Sequence, residues 1–188
     1  MKHLKAIPFL ICVFIFFPFF VGAITIDVPV SASADDGYEL ESTGAMNITN
    51  EYTRNDSNTI NTGRYWGGYR FTGLSIPQSS TINVAYVTGY VYGESYDRPN
   101  FNMHFEELAA PATLTTTAGN ITGRDRTETS ASWIALDIPV GYNNSPSIVA
   151  PLQEVIDAYT ATTLVLIIRP NTYLNRVLLF GTINKTPT

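Results

Sequence analysis

Between Ile82 and Tyr92 the chain alternates. Ala85, Val87, Gly89 and Val91 fall on one side of an extended strand, and Tyr86, Thr88, Tyr90 and Tyr92 fall on the other. A period of two marks a half-buried β-strand. The pattern recurs where Phe101, Met103 and Phe105 interleave with Asn102, His104 and Glu106. A loop of Gly93, Asp97, Arg98, Pro99 and Asn100 separates the two runs and returns the second strand beside the first. Earlier, Ile26, Val28, Val30, Ala32 and Ala34 alternate with Asp27, Pro29, Ser31 and Ser33. This predicts a strand at an edge or beside a bulge, because proline cannot donate to a ladder. Asp35-Asp36-Gly37 breaks it, and the polar stretch from Asn47 to Gly63 reads as a long loop with room for one short strand. A strand is predicted over Arg64 to Phe71, stopped by the turn Ser75-Ile76-Pro77-Gln78-Ser79-Ser80. Thr127 to Ile138 and Thr162 to Arg169 predict two more, the second almost wholly apolar and therefore central. Arg176 to Phe180 predicts another.

Only one segment switches to helical spacing. Leu152, Val155 and Ile156 share a face at i, i+3 and i+4, Pro151 suits a first helical position, and the helix ends near Ala158. Many short strands and one short helix, without an internal repeat, predict an all-β chain: a jelly-roll-like β-sandwich.

The N-terminus changes the picture. Lys2, His3 and Lys5 form a positive segment, an apolar run extends from Ala6 to Val21, and Val21-Gly22-Ala23 is a small-residue cleavage site. This is the pattern of a secretory signal peptide over residues 1–23, followed by a single module over 24–188. The run is short for a spanning helix and contains Pro8 and Pro18, so an uncleaved anchor is the lesser alternative. Cys12 lies inside the run, unlike a lipoprotein cysteine, and it is the only cysteine. Cleavage would remove every thiol, leave His104 as the sole histidine, and leave nine basic residues against 16 acidic ones, a formal charge of −7. An acidic chain with one remaining lysine, Lys185, offers no basic patch for nucleic acid, and Cys/His zinc or iron–sulfur ligation is excluded. About 165 residues can bury a core without disulfides. Sequons at Asn47, Asn55, Asn120, Asn143 and Asn184 permit glycosylation of an exported, extracellular chain.

The candidate chemistry lies on strands. In Arg64-Tyr65-Trp66-Gly67-Gly68-Tyr69-Arg70-Phe71, alternation puts Tyr69 and Phe71 on the core side. Trp66 and Arg70 face the other way, with Gly68 between them leaving room for ring and guanidinium to approach. Tyr86, Tyr90 and Tyr92 share one strand face, and Asn102, His104 and Glu106 share a face of the next. If the faces coincide, rings flank amide, imidazole and carboxylate groups, a combination suited to sugar hydroxyls; a solvated sheet surface is the plainer alternative. Asp35, Asp36 and Glu39 form an oxygen-rich segment that is a candidate for structural Ca²⁺, though it has no complete loop signature. No nucleophile motif accompanies His104, and Glu106 and Glu107 point to opposite faces of a strand, so they cannot share a glycosidase cleft with Asp97 or Asp137. Glu107 falls on the apolar side unless the strand has ended, and there it would need a partner such as Arg70 or Arg124.

From Arg64 onward the succession RYWGGYRF, LSIPQSSTINVAYVTGYVY, TLTTTAGNITGR, SASWIALDI and SPSIVAPLQEVID resembles a module of secreted microbial proteins. That module is similar to carbohydrate-binding-like jelly-roll domains, including the DNRLRE type related to disaggregatase, and the likeness spans roughly residues 26–183. It implies a sandwich, attachment to polysaccharide or a surface, and no catalytic motif. Such modules usually accompany other domains and finish with an apolar strand after a turn like Asn184-Lys185-Thr186-Pro187, whereas this sequence stops at Thr188. Either the sequence is truncated or the sandwich has an open C-terminal edge. The expected function is a secreted non-catalytic carbohydrate-binding or adhesion module, its partner a polysaccharide or cell-surface glycan. The alternative is a self-assembling subunit of an extracellular filament or coat, completed by strand exchange at the open edge.

Overall fold

A computed structural model of the chain describes residues 22–49, 52–58, 63–91, 100–134, 138–171 and 176–181. Among these, ten strands pair throughout in antiparallel fashion and one α-helix is present. The strands are β1 (Asp36–Leu40), β2 (Ala45–Asn47), β3 (Tyr52–Asn58), β4 (Gly63–Ile76), β5 (Thr88–Val91), β6 (Asn100–Phe105), β7 (Ala131–Ile134), β8 (Gly141–Asn144), β9 (Ala161–Pro170) and β10 (Arg176–Gly181). The helix α1 is Val149–Ala158. No helix of the described residues is long and apolar enough to cross a membrane.

The hydrogen-bonded order is β7-β6-β9-β4-β3-β10-β5-β8, and β1 and β2 branch from β4. The long strand β4 makes this possible. Its start pairs with β3 through Tyr65 and Asp56, and its middle lies between β9 and β1. Val91 of β5 is packed in one core with Phe101, Met103 and Phe105 of β6 and with Leu164, Leu166 and Ile168 of β9, although β5 is hydrogen-bonded to neither strand. The chain therefore folds over itself as a sandwich-like pair of layers, with β7-β6-β9-β4-β1-β2 in front and β3-β10-β5-β8 behind, and no closed barrel. Leu152, Val155 and Ile156 of α1 enter the same core, as their helical spacing predicts. Pro151 occupies the first turn but not its first position.

The apolar run of β9 has a direct cause, since both its faces are covered. Leu164, Leu166 and Ile168 face the inter-layer core, while Val165 and Ile167 face a second cluster with Trp66, Leu114 and Ile121. Burial of each such side chain contributes about 1.5–3 kcal/mol, which an exposed strand face would forgo. The second cover is the irregular connection 107–127, folded back over the front layer. Arg124 fastens this connection by pairing with Glu106 and by donating to the carbonyls of Asn120, Ala112 and Thr113. The expected partner was Glu107; the strand ends at Phe105, so Glu107 turns outward and Glu106 takes the arginine.

Other expectations shift for similar reasons. Residues 26–34 alternate but pair with no strand among the described residues; 26–32 are irregular and largely exposed, a 3-10 turn begins at Ser33, and only Val30 of these packs against the core. β1 begins instead at Asp36, inside the acidic segment read as a break. The strand expected over Ile82–Tyr92 is regular only from Thr88, because Ile82 N–H is taken by Gln153 and Val87 N–H by the Ser145 hydroxyl. The strand expected from Thr127 begins at Ala131, since the Glu154 carboxylate accepts the N–H groups of Glu128 and Thr129. β5 and β6 are not neighbours: β5 pairs with β10 and β8, and β6 with β7 and β9. Nor is the last described strand open, because β10 has β3 on one side and β5 on the other. The expected C-terminal edge is therefore not at β10.

Candidate functional site

Two surfaces carry the residues singled out from the sequence. On the outer face of the front layer, alternation places Trp66, Gly68 and Arg70 opposite Tyr69 and Phe71, which pack in the inter-layer core as expected. Register then aligns Asn102 with Arg169, and Glu39 with Trp66. The ring of Trp66 is only 4% exposed. The guanidinium of Arg126 lies 4.9 Å from its centre and that of Arg169 lies 5.3 Å away. Arg126 reaches this face because Glu106 and Arg126 form a β-bridge that continues the edge of β6.

The expected approach of Arg70 to Trp66 does not occur. Gly68 leaves room for something else: a Cβ there would lie 3.0 Å from Ile121 Cδ1 and 3.3 Å from Leu114 Cδ1. Arg70 instead pairs with Asp35 at 2.8 Å and donates to the carbonyl of Pro111 at 3.0 Å. Trp66 is accordingly a covered residue, not an open sugar platform.

Around this stack lies a polar fringe. Asn171 donates its side-chain amide to Asn102 at 2.7 Å and to Asn100 at 3.1 Å, and Ser132 bonds Asn100 at 3.2 Å. His104 Nδ1 lies 3.0 Å from the carbonyl oxygen of Thr127, so Nδ1 carries the proton. Burial holds the His104 pKa below its ordinary 6.5; the charges of Arg126 and Arg169 add to this, and the bond to Thr127 opposes it. Burial, and then Arg169, also lower the pKa of Arg126, while Asp125 partly offsets them.

Two carboxylates of the acidic segment, Asp35 and Glu39, are engaged by protein groups. Asp35 belongs to Arg70. Glu39, fully buried, accepts the backbone N–H groups of Ile121 at 2.5 Å and Thr122 at 3.0 Å, together with the Thr122 hydroxyl. Asp36, the third proposed ligand, is buried at the start of β1. Among the described residues no group of three His, Cys, Asp or Glu side chains is placed to hold a metal ion. Asp97 and Asp137 lie outside the described residues, and Glu106 is held by Arg124.

The second surface is the outer face of β5 and β8. Val91 is fully buried, so Tyr90 beside it faces outward. Tyr90 stands directly opposite Tyr142 in register, with ring centres 5.0 Å apart at 87°. Tyr142 is 69% exposed and Tyr86 55%. Thr88 and Asn144, paired two residues along, share a 2.7 Å hydrogen bond. Tyr92 lies outside the described residues. Because β5 and β6 are not neighbours, Tyr86 and Tyr90 do not join Asn102 and His104 in one site, and the composite face expected from the sequence divides into two. Tyr142 was not anticipated: Gly141-Tyr-Asn-Asn144 carries turn residues, and only its pairing with β5 makes it part of an aromatic face. No protein-family model matches the chain, and no curated protein matches it either.

Proposed function

We propose that the chain is a secreted, non-catalytic carbohydrate-binding or adhesion module that meets glycan at an extracellular surface through the tyrosines of β5 and β8 and Tyr86 just before β5. The observation that carries this reading is the edge-on pair of Tyr90 and the exposed Tyr142, with a further exposed ring, Tyr86, just ahead of β5. Phenol rings cover the CH faces of a pyranose while their hydroxyl tips bond its OH groups. Thr88 and Asn144 place further donors and acceptors beside the rings. The resemblance of the sequence to secreted jelly-roll modules supports the same direction, as does the signal-like N-terminus. Retention on insoluble polysaccharide that is lost in Tyr86→Ala and Tyr142→Ala tests it.

A self-assembling extracellular subunit is the second reading. It is favoured by Ile134, 55% exposed on β7, and Val140, 53% exposed beside β8, two strands that end the hydrogen-bonded order. Large assemblies in light scattering, without glycan retention, would favour this reading over the first.

A further inference from the structure

On the front layer, three arginines have acidic partners. Arg64 meets Glu41 at 2.5 Å, Arg70 meets Asp35 at 2.8 Å, and Arg124 meets Glu106. Arg126 and Arg169 differ. Both approach the ring of Trp66, and among the described residues neither has a carboxylate within ion-pair distance. Arg169 Nε is buried without a hydrogen-bond partner, and so is Nε1 of the nearly inaccessible Trp66. Among the described residues, the Arg126 guanidinium donates only to the backbone carbonyls of Thr122 and Arg124. Two like charges are thus held at one ring, and two buried donors beside them have no acceptor. Each feature costs stability when nothing compensates it. A neutral sugar hydroxyl would leave the paired charge uncompensated; an oxyanion at the partly exposed ends of the guanidiniums answers it.

We infer that the Arg126–Trp66–Arg169 cluster is an oxyanion site, taking a carboxylate or sulfate group at the partly exposed guanidiniums. Planar guanidiniums match such groups in a forked, charge-assisted geometry. Both arginines are partly exposed, and Asn102, in register with Arg169, lies at the rim, so a ligand can reach them from solvent. The chain is acidic overall, with a formal charge of −5, so attraction here is local to the stack. The site rests on its own residues. That the oxyanion is borne on a glycan, which would make the preferred polymer an acidic one, rests on the functional reading above.

Calorimetric titration of the protein with inorganic sulfate and with sodium galacturonate, at constant ionic strength, tests the site. Saturable binding is expected, on the order of 1 mM for so few contacts. Arg126→Gln and Arg169→Gln should each weaken it at least about tenfold. Arg169→Lys keeps charge and stem over Trp66 but loses the fork, and should bind with intermediate strength, which separates the loss of a ligand group from a failure to fold. No saturable binding of either ion to the unaltered protein overturns the inference, as does equal binding by the glutamine variants. Sodium polygalacturonate and its methyl-esterified form then distinguish the source. Retention of the acid form alone supports a glycan-borne carboxylate. Binding of the free ions with neither polymer retained supports the site and counts against the glycan reading only.

Discussion

The carboxylate of Glu39 on β1 accepts the backbone N–H of Ile121, far along the chain, at 2.5 Å in a fully buried position. With Thr122 added, one side chain fastens the connection 107–127 to the outer face of the front layer. Glu39→Ala leaves these donors unsatisfied and should cost about 2–4 kcal/mol in chemical denaturation. Glu39→Gln, which retains one acceptor oxygen, should cost less. Equal stability of Glu39→Ala and the unaltered protein would contradict this role.

The same assignment predicts the response to chelation. Asp35 is committed to Arg70 and Glu39 to Ile121 and Thr122, so EDTA should leave the melting temperature unchanged. Arg70→Met, by contrast, strands a carboxylate that is only 3% exposed and should cost about 3 kcal/mol. A large chelator effect would show that the acidic segment holds a cation after all.

Gly68 is a third point of control. Its missing side chain admits Ile121 and Leu114 against the sheet. Gly68→Val would force these side chains outward and should destabilise the fold by about 1–3 kcal/mol, read from the denaturation midpoint.

Acidification should weaken the fold through His104. Its pKa in the folded chain lies below the ordinary 6.5, with burial the largest cause. Below pH 6.5 the unfolded chain therefore binds more protons than the folded one. The contribution is fully present above about pH 6.5 and is lost as pH falls toward the folded pKa. Melting temperature should fall as the pH is lowered over that range, and more shallowly in His104→Asn.

How much of this was legible depends on the range over which each residue is determined. The run Leu164–Ile168, the alternation of Phe101, Met103 and Phe105, and the helical spacing of Leu152, Val155 and Ile156 record burial directly, and their elements are where the patterns place them. The faces of Tyr69 and Trp66 were also readable, because alternation is local. Partners were not. Nothing near Trp66 in sequence identifies Arg126 and Arg169, and nothing near Asp36 shows that β4 will pair with it. Residues 26–34 alternate as well as any strand, yet alternation cannot supply the neighbour a ladder needs. The division of the expected polar–aromatic face has the same origin: a short loop suggested a hairpin, and β5 and β6 pair with other strands instead.

Binding isotherms on a panel of insoluble neutral and acidic polysaccharides, for the unaltered protein and for Tyr86→Ala/Tyr142→Ala, test the central claim most directly. Both tyrosines are exposed, so the double variant should melt within about 2 °C of the parent. The account predicts saturable retention of the parent on at least one polysaccharide and at least about tenfold weaker retention of the variant. Retention that is identical in the two proteins, or absent from the parent across the panel, would contradict it.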